Sequence, residues 1–279
     1  LIVIYRLEIE NFYSFRDRQV VDLTVPRNVR DHSERFAPLF ENSKLRAPKV
    51  VALFGANASG KSTVLKSLTF LVWLLRDSAK YAGHDVPCQR FNDRISADRP
   101  VSIAVELGGL SPLTSHGETE QGIFRYEIEL ATDNGAVASV AKETLRFKRN
   151  GQGKWTRIFD RRGNDKVLGS KRFPLSGYSH VIKKVRPNTS IVATLAFFEH
   201  EPAQNIVSLL TSVMSNIWFD KSELQLQNTV KYLHESPDVL AQLNDEIQRI
   251  DLGIRNMRII DTATGPVPQF VHEGLQSDM

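Results

Sequence analysis

Residues 3–10 alternate apolar with polar or charged positions, Ile4, Leu7 and Ile9 among Arg6, Glu8 and Glu10, and the alternation returns over residues 19–25. A period of two sends successive side chains to opposite faces of a sheet, so the pattern predicts two strands joined by a turn over residues 11–18. Residues 26–48 mix Pro, Asn and charge without sustained periodicity and read as a loop. Lys49-Val50-Val51-Ala52-Leu53-Phe54 is a short continuous apolar run, the pattern of a strand buried on both faces. After it, Val64, Leu65, Leu68, Leu71, Val72 and Leu75 recur at helical spacing and predict a helix over residues 62–75.

Gly83, Pro87 and Pro100 break the pattern over residues 77–100. Beyond them, runs at 101–107, 123–130, 137–148, 155–160 and 166–169 are separated by turn signals such as Asp133-Asn134-Gly135 and Asn150-Gly151, which predicts an antiparallel region. Helical periodicity follows from Asn188, through residues 206–219 and again 237–250. A strand-like run at 254–261, a Thr264-Gly265-Pro266 turn and a second short run at 267–271 close the chain. The organisation predicted is N-terminal strands with a strand–turn–helix unit (1–76), a mainly antiparallel β insert (77–186) and a helical segment ending in two short strands (187–279).

The turn between the apolar run and the helix changes the picture most. Gly55-Ala56-Asn57-Ala58-Ser59-Gly60-Lys61-Ser62 fits G-x-x-x-x-G-K-[ST] at every fixed position, between the strand and helix that this phosphate-binding loop requires. Successive backbone N–H groups turned inward at a helix N-terminus make an anion nest, and Gly55 and Gly60 permit dihedrals that a Cβ would block. Polyphosphate is the natural occupant. Lys61 is expected to reach the β and γ phosphates and stabilise their charge, the Ser62 hydroxyl to ligate Mg²⁺, and Thr63 to assist phosphate binding or helix packing. ATP and Mg²⁺ are the cofactors implied.

Hydrolysis needs a strand-terminal acid as well, and the best candidate, Asp261 after Met257-Arg258-Ile259-Ile260, lacks an adjacent second carboxylate and reads rather as a turn residue than as a metal ligand. Gln89 lies between the P-loop helix and the β insert and reads first as a loop residue. Among Phe12, Tyr13 and Phe15, one adenine contact competes with core packing. Glu199-His200-Glu201 before Pro202 reads as a helix-entry turn rather than a catalytic group, and the seven dispersed histidines do not predict a structural metal site.

Composition narrows the class. The 41% hydrophobic and 24% charged content is that of an ordinary globular chain, long enough for one large domain or two modest ones. One cysteine, Cys88, leaves no internal disulfide framework, which favours a reducing, cytoplasmic compartment. The longest apolar stretch, residues 70–75, is far short of the roughly 20 residues of a membrane span, so no membrane association is expected. The net charge of +4 is unevenly spread: from Lys142 to Arg186 there are 14 Lys or Arg against 3 Asp or Glu. Solvated strand faces and hairpin tips explain such a block, and so does a surface for DNA or another polyanion.

Ile9-Glu10-Asn11-Phe12-Tyr13-Ser14-Phe15 and Leu53-Phe54-Gly55 through Thr63 together resemble the ABC-type ATPases of the RecF and SMC class. Within it the chain is most similar to RloA-like, abortive-infection-type AAA-domain ATPases, and the likeness extends through residues 126–130, 143–145 and 251–254. Where that family commonly has a basic residue, this chain has Tyr13. For Gln89, the resemblance alone implies a γ-phosphate-sensing role. The resemblance implies an α/β P-loop NTPase fold, an ABC-ATPase-like N-terminal lobe with an antiparallel β insert and a following helical segment. It implies a head that forms a homodimer or larger oligomer around ATP, beside an effector such as a nuclease or toxin, in anti-phage defence or DNA transactions. It also implies that the signature helix, the acidic Walker B strand and a switch histidine belong to a C-terminal half not found before Met279. Two other functions stay open: a nucleotide-binding scaffold that does not hydrolyse, and a P-loop kinase of a small molecule.

Overall fold

The computed structural model describes residues 2–56, 59–80, 86–110, 113, 120–164, 166–210, 213–217, 223–249, 254–262 and 265–272. It divides into two units, residues 1–219 and 220–279. The architecture is mixed α/β, built on one large antiparallel sheet and helices, in keeping with a P-loop NTPase fold.

In the first unit, β1 (Val3–Glu10), β2 (Gln19–Asp22), β5 (Val101–Leu110), β6 (Gln121–Asp133), β7 (Ala136–Arg149), β8 (Thr156–Arg162) and β9 (Lys166–Leu168) form a sheet of order β2-β1-β5-β6-β7-β8-β9. The N-terminal strands and the β insert are thus one continuous sheet. All its pairings are antiparallel, and Asn134-Gly135 and Asn150-Gly151, each residue at positive φ, make the turns that the sequence signals. Residues 26–48, expected as a loop, contain a small hairpin of β3 (Phe36–Pro38) and β4 (Arg46–Pro48). These three-residue strands are too short to show a period of two.

The alternation sorts the sheet into two faces. Leu7, Ile9, Ile103, Val105, Phe124, Tyr126, Ile128, Leu145 and Phe159 point to one side, against α1 (Lys61–Asp77), α3 (Ile191–Phe197) and α4 (Glu201–Leu210), and form the main core. A short α2 (Ser179–Ile182) adds Val181. The opposite face carries cross-strand charges. Glu8 takes Arg125 through both its oxygens (2.8 and 3.2 Å), with Arg18 at 2.7 Å and Arg6 at 2.9 Å. These cations, Arg125 foremost, hold the Glu8 carboxyl well below the usual carboxylate range.

One ion pair lies on the core face instead. Glu143 and Arg161, both fully buried, sit opposite each other on β7 and β8. The Glu143 carboxylate accepts from Ser190 Oγ (2.7 Å) and Ile191 N (2.8 Å), and Arg161 donates to it at 3.3 Å. Arg161 also donates to the carbonyls of Thr189 (2.6 Å) and Gly163 (2.9 Å) and to Asn164 Oδ1 (2.7 Å). With its partners supplied, the pair fastens the N-terminus of α3, capped by Ser190, to the sheet.

Two sequence expectations shift. Residues 49–54, expected as a buried strand, are not a strand: Val50 is 84% and Phe54 90% exposed. A strand buried on both faces needs neighbours on both edges, and the pairing of β4, with β3 and through Arg46 with Val25, ends at Pro48. The helix expected over 206–219 is α4, which begins earlier and ends at Leu210; residues 213–217 are not helical, and 211, 212, 218 and 219 lie outside the described residues. His200 supplies the entry turn, its Nδ1 accepting from Ala203 N (3.2 Å) while Nε2–H donates to Pro174 O (2.7 Å). Burial lowers its pKa, which suits the neutral tautomer this pairing requires.

The second unit contains α5 (Glu223–Glu235), α6 (Pro237–Arg249) and a hairpin of β10 (Ile254–Thr262) and β11 (Gly265–His272). Asn244 joins α6 to the hairpin, accepting from Met257 N (2.6 Å) and donating to its carbonyl (3.0 Å).

Replacing Glu143 by Ala leaves Arg161 buried without its carboxylate and is expected to lower the unfolding free energy by about 3–5 kcal/mol. Urea denaturation checks this; a loss under about 1 kcal/mol would mean that α3 is fastened by other contacts.

Candidate nucleotide-binding site

The P-loop enters α1 through Gly60, whose φ of +91° is left-handed. An L side chain there would be strained, and its Cβ would fall 2.3 Å from Phe15 Cε1. Gly55 is comparably placed, a Cβ meeting Ser59 Oγ at 2.8 Å. As N-cap, Gly60 has no side chain to satisfy the first-turn amides, and that turn holds no acidic residue. Lys61 Nζ reaches back across the loop, donating to the carbonyls of Gly55 and Ala56 at 2.7 Å each. Three ammonium hydrogens against two carbonyls leave one donor for an anion at the mouth. Ser62 is exposed beside it, whereas Thr63 is buried. Asn57 and Ala58 lie outside the described residues.

The β1–β2 turn explains why this helix end sits where it does. Asn11, fully buried at φ +52°, donates to the carbonyls of Ser96 (3.1 Å) and Arg99 (2.8 Å) and accepts from Phe91 N (3.1 Å). Phe12 packs into the core against Phe70 of α1. Tyr13, also left-handed, donates its backbone N–H to Gln89 O (2.9 Å), and its ring carries the Lys66 ammonium at 4.5 Å. Ser14 Oγ and Thr63 Oγ1 share a 2.7 Å hydrogen bond, and the Phe15 ring covers Gly60.

The other end of α1 is equally fixed. Arg186 donates to the carbonyls of Ser78 and Ala79 (3.2 Å each), and Ser190 N donates to Ser78 Oγ (3.2 Å). A cation on the last carbonyls also suits the helix dipole.

Of the sequence candidates, Gly55, Ala56, Ser59, Gly60, Lys61, Ser62 and Thr63 are therefore brought together. Gln89 joins them through its carbonyl on Tyr13, with its side chain exposed. Phe12 is core, so Tyr13 and Phe15 are the aromatics at the loop. Asp261 belongs to the second unit, opposite Pro266 in the β10–β11 hairpin, and its side chain is 75% exposed. That is a surface position beside the hairpin turn, in line with the turn reading of the sequence. Ser14, Phe15 and Lys66 have structural roles here that the sequence reading did not assign; the Asn-Phe-x-Ser-Phe spacing directly after β1 was the available signal.

Part of the basic block is paired within the fold. Arg161 is buried with Glu143, Lys142 pairs with Glu127 and Glu129, Arg172 with Glu120 and Arg162 with Asp160. Arg146 and Arg157 stand directly opposite each other on β7 and β8 and have no carboxylate partner among the described residues.

A left-handed glycine leading into a helix, with a lysine folded over the loop mouth, defines a P-loop nucleotide-binding class of protein. The family model described as "AAA domain, putative AbiEii toxin, Type IV TA system" matches residues 50–269. That is more than three quarters of the 279 residues, and the chain belongs to this family of AAA-domain P-loop ATPases, which supports nucleotide binding. A search of curated proteins finds no match. No helix among the described residues is long and apolar enough to cross a membrane.

Gly60→Ala is expected to cost about 1–3 kcal/mol of stability through backbone strain and the Phe15 clash. In a double-mutant cycle, Phe15→Ala should recover part of that loss. Strictly additive losses would contradict the seating of Phe15 on residue 60.

Proposed function

We propose that this chain is the ATP-binding head of an ABC-type, RecF/SMC-like ATPase that couples ATP binding and hydrolysis to an effector, in anti-phage defence or DNA transactions. The observation that carries the reading is the uncapped N-terminal turn of α1 with Lys61 folded across the loop. First-turn N–H groups and the ammonium supply fixed donors for a triphosphate, at the positive end of the helix dipole. Preorganised donors of this kind favour charge that develops on phosphoryl oxygens during transfer. The exposed Ser62 hydroxyl fits a Mg²⁺ ligand, and the metal would supply further charge neutralisation on the same oxygens. Cytoplasmic location and self-association around nucleotide belong to this reading.

Lys61→Ala is expected to weaken Mg·ATP binding roughly 10- to 150-fold, the worth of a charge-assisted contact, and to abolish phosphate release. Calorimetry and a phosphate-release assay, with any effector present, check it. Turnover unaffected by the substitution would remove the P-loop from the mechanism. Tight binding without phosphate release from the unaltered chain would leave a nucleotide-binding scaffold.

A DNA-contacting role for the β insert is a second reading, favoured by the Arg146–Arg157 pair. Like charges directly opposed across an antiparallel pair cost stability, and a polyanion would repay that cost. The exposed Lys154 and the half-buried Lys148, the latter over Trp155 at 4.7 Å, lie on the same hairpin. Neutralising Arg146 and Arg157 to Gln should lower the slope of log affinity for duplex DNA against log salt by about 2. An unchanged slope would discard these two residues as the contact.

A further inference from the structure

Lys66 stands three residues beyond Thr63 and four beyond Ser62, one helical turn below them on the same side of α1. Helical side chains lean toward the N-terminus of their helix, which carries the Lys66 ammonium toward the P-loop. It is held there by the Tyr13 ring, 4.5 Å from Nζ to the centroid. The ring is in turn fixed by its edge contact with Phe12 (4.7 Å, 72°) and by the Tyr13 N–H on Gln89 O. Ser14 and Phe15 seat the same turn on Thr63 and Gly60.

The two lysines of this first stretch of α1 differ in state. Lys61 spends two donors on loop carbonyls, whereas Lys66 faces a π-surface and has no carboxylate partner among the described residues. A cation over an aromatic face at a solvent-accessible site is held more weakly than one hydrogen-bonded to a charged group. An anion within reach would therefore draw the ammonium off the ring.

Resting on the nucleotide reading above, we propose that Lys66 is a further nucleotide-binding residue that contacts the α-phosphate side of the bound nucleotide, and that Tyr13 is its positioning residue. Lys61 serves the transferred end of the triphosphate, and Lys66 the part common to ATP and ADP. A contact of that sort adds uniform binding: it lowers KM and leaves kcat alone.

The test is calorimetry on the full chain with Mg·ATP and with Mg·ADP. Lys66→Gln should weaken both by roughly tenfold and leave their ratio unchanged, while Lys66→Arg stays close to the unaltered protein. Tyr13→Phe keeps the ring and should bind normally; Tyr13→Leu removes the ring and should bind more weakly than Tyr13→Phe. If the unaltered chain binds nucleotide and Lys66→Gln binds both ligands as tightly, the proposal is overturned and the P-loop reading stands. Loss of ATP affinity alone would also overturn it, placing Lys66 at the γ phosphate. No nucleotide binding by the unaltered chain would overturn both.

Discussion

The Phe15 ring lies where a side chain at residue 60 would have to begin, and the site depends on that contact. Only glycine fits both the left-handed turn and the ring above it. The close approach lets Ser14 reach Thr63 and brings Tyr13 over Lys66, so the first turn of α1 is located by the end of β1. Arg186 and Ser190 fix the last turn, and Glu143 ties Ser190 to the sheet. A helix fixed at both ends presents its amides in one orientation, which is what preorganised anion binding requires.

The sheet divides its labour between faces. The apolar face packs the helices that position the loop, with the Glu143–Arg161 pair buried among them. The other face carries a ladder from Arg6 through Glu8, Arg125 and Glu127 to Lys142. Of the block from Lys142 to Arg186, Lys142 and Arg162 are paired on that face and Arg161 on the other.

Local periodicity carried most of the fold. The strand over 3–10 and the helix over 62–75 were legible because each has one buried face, and the Asn-Gly turns set the hairpins of the insert. Residues 49–54 misled because a continuous apolar run reports a tendency to be buried, and whether a strand forms depends on neighbours that periodicity does not specify. Glu143 and Arg161 were invisible as a pair because 18 residues separate them and only the β7–β8 register brings them together. The P-loop motif was legible because its residues are contiguous, whereas the strand expected before it was not formed. The turn that seats it was legible only as a resemblance, because Phe15 and Gly60 meet through folding.

The central claim is that the uncapped amides of α1, held in place by the 11–15 turn, receive a triphosphate. Amide hydrogen exchange on the full chain, with and without Mg·ATP, tests it directly. The account predicts slowed exchange at Lys61, Ser62 and Thr63 together with Tyr13 and Ser14. Exchange at those amides that is the same with and without nucleotide would contradict it.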